Sequence, residues 1–165
     1  MTRGPDRRPE AEADGAFLFA LFASAHGASL AGLDPPLRDR LLRQGFAGQR
    51  TTYRARYPAA CFEVIELDSV SIGRIVTDRG ADAVTLVDIV LLPEWRRRGL
   101  GTRLIGETMA AARSVGLPLR LSVSADNPGA RRLYARLGFA AVRAGDLHHD
   151  LHHDLAWTPP SAGDS

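Results

Sequence analysis

A mixed α/β fold is predicted for this chain, with a sheet that opens as hairpins and continues through helical crossovers. Three observations predict it. Strand-like apolar runs from Phe62 onward are first separated by tight turns, then by amphipathic stretches. Two helical patterns come before them. An arginine–glycine turn, Arg96-Arg97-Arg98-Gly99-Leu100-Gly101-Thr102, links an apolar run (Val84 to Leu92) to an amphipathic one (Leu100 to Val115).

The elements follow in order. Asp14 is placed to N-cap a first helix carrying Phe17, Leu18, Leu21 and Phe22, with Gly27 and Gly32 breaking it. Asp34-Pro35-Pro36 starts a second helix, a cap followed by proline in the first turn. Leu37, Leu41, Leu42 and Phe46 repeat there at helical spacing, to about Arg56. Phe62 to Leu67 and Val70 to Thr77 form a strand pair about Asp68-Ser69. Val84 to Leu92 is a third strand, ended by Pro93. The helix after Gly101 ends near Gly116, and Pro118 enforces the break. Leu119 to Val123 is a strand. Asp126 or Asn127 caps a helix through Leu137, with Gly138 as its stop. Phe139 to Val142 and Leu147 to Trp157 close the sheet.

Composition sets the class. The chain of 165 residues is 45% hydrophobic and 24% charged, ordinary for one globular domain, expected here over residues 1–157 with a disordered tail at 158–165. The net charge is +2, and no basic stripe with interleaved aromatics argues for nucleic acid. No segment is long enough to span a membrane. Arg3, Arg7 and Arg8 before the apolar run Ala16 to Ala25 imitate a secretory leader, but Asp6, Glu10, Glu12 and Asp14 intervene. Cys61 is the only cysteine, which fits a reducing, cytoplasmic setting; its apolar neighbours favour a buried bystander over a nucleophile.

The arginine–glycine turn carries the first functional signal. Backbone N–H groups at a helix N-terminus bind anions such as pyrophosphate, and glycine lets the backbone approach them. Two other phosphate loops are excluded. The dinucleotide fingerprint needs a third glycine where Leu104 stands, and the P-loop needs a lysine. The chain has no lysine: its 21 basic residues are all arginine, which also removes lysine bases and Schiff bases.

Two motifs then coincide. Arg96-x-x-Gly99-x-Gly101 after a strand resembles the acetyl-CoA signature of the GNAT superfamily of N-acetyltransferases. Asn127-x-x-Ala130-x-x-Leu133-Tyr134-x-Arg136-x-Gly138-Phe139 resembles that family's second motif, and the lead-in Val90 to Trp95 is similar too. The resemblance covers Asp88 to Phe139. It implies a GNAT fold: a mixed, mostly antiparallel sheet flanked by about four helices, with splayed central strands. It places the family's first strand before Asp14, where glycine, aspartate and two prolines in residues 2–9 leave room for a short one at most.

The resemblance also implies the chemistry. Acetyl-CoA is the expected co-substrate, with no metal. The acetyl group passes directly to a primary amine of a small molecule or peptide in a ternary complex. The backbone of Val90, Leu91 and Leu92 is then assigned to the pantetheine arm and thioester oxygen. The amides of Arg98, Gly99, Leu100, Gly101 and Thr102 take the pyrophosphate, helped by Arg96 and Arg97. Asn127 contacts the cofactor arm, and Tyr134 occupies the general-acid position. Asp88, interrupting an apolar strand, is the candidate base. Each has a plainer reading. The arginines could be a solvated run, Tyr134 could pack on a helix face, Asn127 could only cap its helix, and Asp88 could pair with an arginine such as Arg74.

Other readings remain beside this one. A non-catalytic acyl-CoA-binding sensor or scaffold is the alternative function, and a homodimer is a further expectation. The repeat His148-His149-Asp150-Leu151-His152-His153-Asp154-Leu155 alternates faces on a strand, and a polar strand face explains it better than a metal site.

Overall fold

The computed structural model describes residues 4–142 and 152–161. Seven strands and four α-helices are described: β1 (Asp6–Pro9), α1 (Gly15–His26), α2 (Pro35–Arg56), β2 (Cys61–Leu67), β3 (Val70–Arg79), β4 (Val84–Leu91), α3 (Leu100–Ser114), β5 (Leu119–Ser124), α4 (Pro128–Arg136), β6 (Ala140–Ala141) and β7 (His152–Trp157). The sheet order is β1-β2-β3-β4-β5-β7-β6. The chain falls into two compact units, Met1–Val76 with Asp88–Gly101, and Thr77–Val87 with Thr102–Ser165.

In the first unit, β1 pairs antiparallel with β2 from Asp6↔Glu66 to Pro9↔Glu63. The first strand is therefore present and four residues long. Asp68 and Ser69 both take positive φ (49° and 65°), which closes the β2–β3 hairpin with the right-handed twist such turns require. The core of this unit includes Leu18 and Leu21 of α1 and Val64, Ile65, Ile72, Ile75 and Val76 of β2 and β3, all at most 2% exposed. Burying each such side chain contributes roughly 1.5–3 kcal/mol before conformational entropy is subtracted. Phe46 of α2 meets Phe19 and Phe22 of α1 with ring centroids 5.7 Å apart in both pairs.

Both acidic caps differ from expectation. Asp14 stands at the N-cap of α1 without capping it through its side chain. Its carboxylate is taken by Arg8, whose Nη1 and Nη2 each donate at 2.8 Å, and by the Ala11 N–H at 2.8 Å. Arg8 Nε also donates to Glu66 at 2.7 Å, so one guanidinium ties β1, β2 and the start of α1 together. Asp34 likewise makes no side-chain cap; Pro35 and Pro36 leave the Leu37 N–H as its one candidate donor, and the side chain does not take it. Cys61 is exposed at the start of β2, not buried.

In the second unit, β5 pairs parallel with β4 over Val84↔Leu119 to Leu86↔Leu121, and antiparallel with β7 over its whole length. Leu104, Ile105 and Ala112 of α3 are buried, as are Leu119, Leu121 and Val123 of β5. Gly138, at φ +92°, ends α4, and the Phe139 N–H returns to the Tyr134 carbonyl at 3.0 Å. On β7, His152 and Asp154 are exposed while Trp157 is buried, the expected alternation. His148 to Leu151 of the histidine repeat lie outside the described residues. Among the described residues no cluster of three metal-ligating side chains occurs, and no helix is long and apolar enough to cross a membrane.

The Arg8–Asp14 contact makes a pH prediction. Hydrogen bonds from Arg8, then from the Ala11 amide, hold the Asp14 carboxyl at about 2. A carboxyl lowered by folding stabilises above its unfolded pKa and loses that contribution as pH falls through the folded value. The loss should therefore fall between about pH 4 and pH 2. Asp14→Asn should cost about 1 kcal/mol at neutral pH, after allowing for the half-exposed Arg8. It should also flatten the stability profile in that acid window, measured by thermal unfolding against pH; a profile matching the parent would refute the assignment.

Candidate active site

The first unit gathers most of the residues assigned by sequence. Asp88, Val90 and Leu91 lie on β4, Leu92 follows it, and Arg96 to Gly101 form the turn into α3. Thr102, Asn127 and Tyr134 lie in the second unit.

Asp88 Oδ2 accepts a short hydrogen bond from Arg74 Nη2 of β3. The side chains are only 16% and 6% exposed, so this is a buried ion pair. Arg74 Nη2 also donates to Gln49 Oε1 of α2 at 2.8 Å, and the guanidinium lies 5.9 Å from the Tyr53 ring centroid. Its Nε is buried with no hydrogen-bond partner among the described residues. Burial, and then the nearby Asp88 charge, push the Tyr53 phenol up to about 12. Tyr53 is therefore a neutral hydroxyl throughout the physiological range.

The pair borders a small cavity of about 10 Å³, room for one water at most, lined by Leu18, Leu21, Phe22, Ala25 and His26 of α1 and by Gln49 and Val90.

Gly73 keeps β3 close to β4 here. A Cβ on Gly73 would overlap the Val90 carbonyl oxygen and come within 2.7 Å of Leu91 Cδ2. Just beyond, the Leu92 N–H donates to the Ile72 carbonyl at 2.9 Å, and the Leu92 carbonyl accepts from the Trp95 N–H at 2.9 Å. Both backbone groups of Leu92 are thus used within the chain, and β4 ends rigidly.

The turn is built to present amides. Arg96 is extended, Arg97 is left-handed at φ +60°, and Gly99 is left-handed at φ +78°. Left-handed residues at Arg97 and Gly99 turn the chain sharply just ahead of the α3 N-terminus, whose first N–H groups suit an anion. A left-handed arginine is uncommon and costs of order 1 kcal/mol. The arginines divide their work. Arg96 Nε donates to the Leu91 carbonyl at 2.8 Å, and the Arg98 guanidinium lies 5.0 Å above the Trp95 ring centroid. Trp95 packs beside the turn as expected. A Cβ on Gly99 or Gly101 would meet nothing within 4 Å, so the space over the amides is open. That open, arginine-rimmed turn fits a pyrophosphate.

In the second unit, Asn127 Oδ1 accepts from the Ala130 N–H at 3.0 Å, so the capping reading of Asn127 holds. Tyr134 is 8% exposed and meets Phe139 edge-on, with centroids 5.5 Å apart.

The comparisons with known proteins now bear on this geometry. The sequence profile described as "Acetyltransferase (GNAT) family" matches residues 33–139. The chain belongs to the GNAT acetyltransferase family. It is an acetyl-CoA-dependent acyltransferase of that family. No curated protein matches the sequence. Among solved structures, the PaiA N-acetyltransferase from Thermoplasma acidophilum in complex with coenzyme A is similar. Its identity is 16% and its TM-score 0.70, over 95% of this chain and 100% of that one. An acetyltransferase from Thermus thermophilus has 20% identity and TM-score 0.69, over 96% and 100%. A GNAT family acetyltransferase from Elizabethkingia anophelis with acetyl-CoA bound has 13% identity and TM-score 0.60, over 94% and 99%. At these identities the structures establish a shared GNAT fold.

Three site residues escaped the sequence reading: Gln49, Tyr53 and Gly73. Gly73 carried a signal, since a glycine inside a strand pattern marks close backbone approach. Gln49 and Tyr53 share a helix face one turn apart, but nothing local says which strand that face meets.

Gly73→Ala tests the strand contact. It should destabilise the protein by about 1–3 kcal/mol, because the new methyl meets backbone that cannot yield. Urea unfolding measures this, and an unchanged midpoint would mean β3 and β4 are farther apart than described.

Proposed function

We propose that this GNAT enzyme is an N-acetyltransferase acting on a primary amine of a small molecule or peptide by direct transfer in a ternary complex. The observation that carries the reading is the Asp88 carboxylate on β4, held in place by Arg74 beside a small cavity. An amine must be neutral to attack, so a positioned carboxylate has a clear task. Residues 1–157 would act as one catalytic domain. The single cysteine suits the cytoplasm, and a homodimer is compatible with the fold.

Acetyl-CoA supplies the acetyl group as a thioester and leaves as coenzyme A. The amides of Arg98 to Thr102 would hold its pyrophosphate, with Arg97 and the outer nitrogens of Arg96 and Arg98 adding charge. The backbone of Val90 and Leu91 would align the arm, with Leu92 fixed by its own two bonds, and a strand N–H would face the oxygen that gains charge. Asn127 would contact the same arm while capping α4. Asp88 accepts the proton that the amine nitrogen loses, directly or through a water. Tyr134 donates its phenolic proton to the departing sulfur. The nitrogen–carbon bond forms as the carbon–sulfur bond breaks, and one proton enters and one leaves the protein groups. No metal takes part in this scheme.

Thiol release with an amine panel measures the activity. Tyr134→Phe and Asp88→Asn should each lower kcat by about a hundredfold, the usual worth of a positioned acid or base. Acetyl-CoA affinity should hardly change in either. Unaltered kcat in one variant removes that residue from the chemistry.

Gly101→Asp should abolish acetyl-CoA binding, measured by calorimetry, because it puts a side chain and a negative charge into the turn. Retained affinity would mean the pyrophosphate binds elsewhere.

A further inference from the structure

We propose that a second binding site lies between α4 and the β6–β7 pair, and that it takes a small carboxylic acid with an apolar body, such as a medium-chain fatty acid. The inference does not depend on the N-acetyltransferase reading. The space is an open cavity of about 450 Å³ within the second unit. Small-molecule sites run from about 300 to 1,000 Å³, so a ligand of that class fits. The cavity beside Asp88, by contrast, has room for one water at most.

The walls divide by chemistry. Ala135 of α4, with Phe139, Ala141 and Leu155, forms the apolar part. Ala141 and Leu155 are register partners of β6 and β7, so their side chains stand side by side on one face of the sheet. Ala135 and Ala141 are exposed and Leu155 is half-buried, so this surface is free to receive hydrocarbon. Arg131 and Arg132 of α4 form the polar part. Both are exposed, and neither forms an ion pair among the described residues. α4 carries no acidic residue, and Arg136 adds a third positive charge to it.

That combination selects the ligand. Planar guanidiniums hold carboxylates through paired N–H donors. The other described lining side chains offer no hydrogen bond, so a sugar or nucleobase would be desolvated there without a side-chain partner. A cation would meet two like charges. An acid with a hydrocarbon body satisfies both parts at once. Acetyl-CoA has its assigned contacts at the end of β4, in the turn before α3, and at Asn127 and Tyr134; none of those residues lines this cavity.

The test is calorimetry on the full chain with butanoate, hexanoate, octanoate and octanamide, repeated with coenzyme A at saturation. Affinity should rise by about two- to fourfold per methylene from butanoate to octanoate. Octanamide, the uncharged counterpart, should bind at least about fivefold more weakly than octanoate. Replacing both arginines, Arg131→Ala with Arg132→Ala, should weaken octanoate by a similar factor and leave octanamide unchanged. Ala135→Glu puts a negative charge at an exposed lining position of α4 and should weaken octanoate by at least about tenfold. Saturating coenzyme A should leave the octanoate affinity of the parent protein as it was. Octanoate that does not bind, binds no better than octanamide, or ignores the loss of both arginines overturns the inference. Displacement of octanoate by coenzyme A overturns it too, because the cavity then belongs to the co-substrate. None of these outcomes touches the N-acetyltransferase reading, which thiol release decides separately.

Discussion

The buried ion pair between Arg74 and Asp88 is the constraint around which the first unit is arranged. A buried charge left alone would cost several kcal/mol, so each partner fixes the other. Removing one alone would typically cost about 3–5 kcal/mol. The pair joins β3 to β4 through side chains at the level where Gly73 lets the backbones crowd together. It also recruits α2, because Arg74 needs Gln49 as a second acceptor.

The turn before α3 shows the same economy. Three consecutive arginines look like a phosphate clamp, but two are partly committed to the protein. Arg96 anchors the turn to the end of β4 through the Leu91 carbonyl, and Arg98 rests on Trp95. On the proposed reading, anion binding falls first on the amides of a turn shaped by the left-handed backbone at Arg97 and Gly99. Backbone amides lose no side-chain entropy on binding, and the anchored guanidiniums lose less than free ones. The strain at Arg97 is of the size that a rim of anchored neighbours can hold in place.

Much of this was legible in sequence. Periodicity located every helix and strand from Pro35 to Arg136 within about two residues, because Gly and Pro punctuate the boundaries there. The turn was legible because its glycines do local work. Local capping logic failed at Asp14 and Asp34. A short acidic side chain before a helix is read as a cap, yet Arg8 is 6 residues away in the chain and binds Asp14 bidentately. At Asp34, two adjacent prolines leave only the Leu37 N–H for a cap, and the side chain does not take it. Cys61 misled for a related reason. Its apolar neighbours describe a strand, but not which end of that strand meets solvent. The Arg74–Asp88 pair was open from sequence as one of two fates for Asp88, since 14 residues and a hairpin separate the partners and only the register aligns them.

That pair bears directly on which group takes the proton. Three groups in or beside the cavity could do so: Tyr53, His26 and Asp88. Tyr53 is excluded as a base at neutral pH, because burial and the Asp88 charge keep its phenol protonated to about 12. His26 is exposed at the C-terminal end of α1 with its ring 4.3 Å from that of Phe22. There it shapes the mouth of the cavity more than its floor. Asp88 remains, and it is both the group the strand points inward and the group whose position Arg74 fixes. Arg74 is itself held by Gln49, so on the proposed reading the pair sets the carboxylate's orientation before any acceptor arrives.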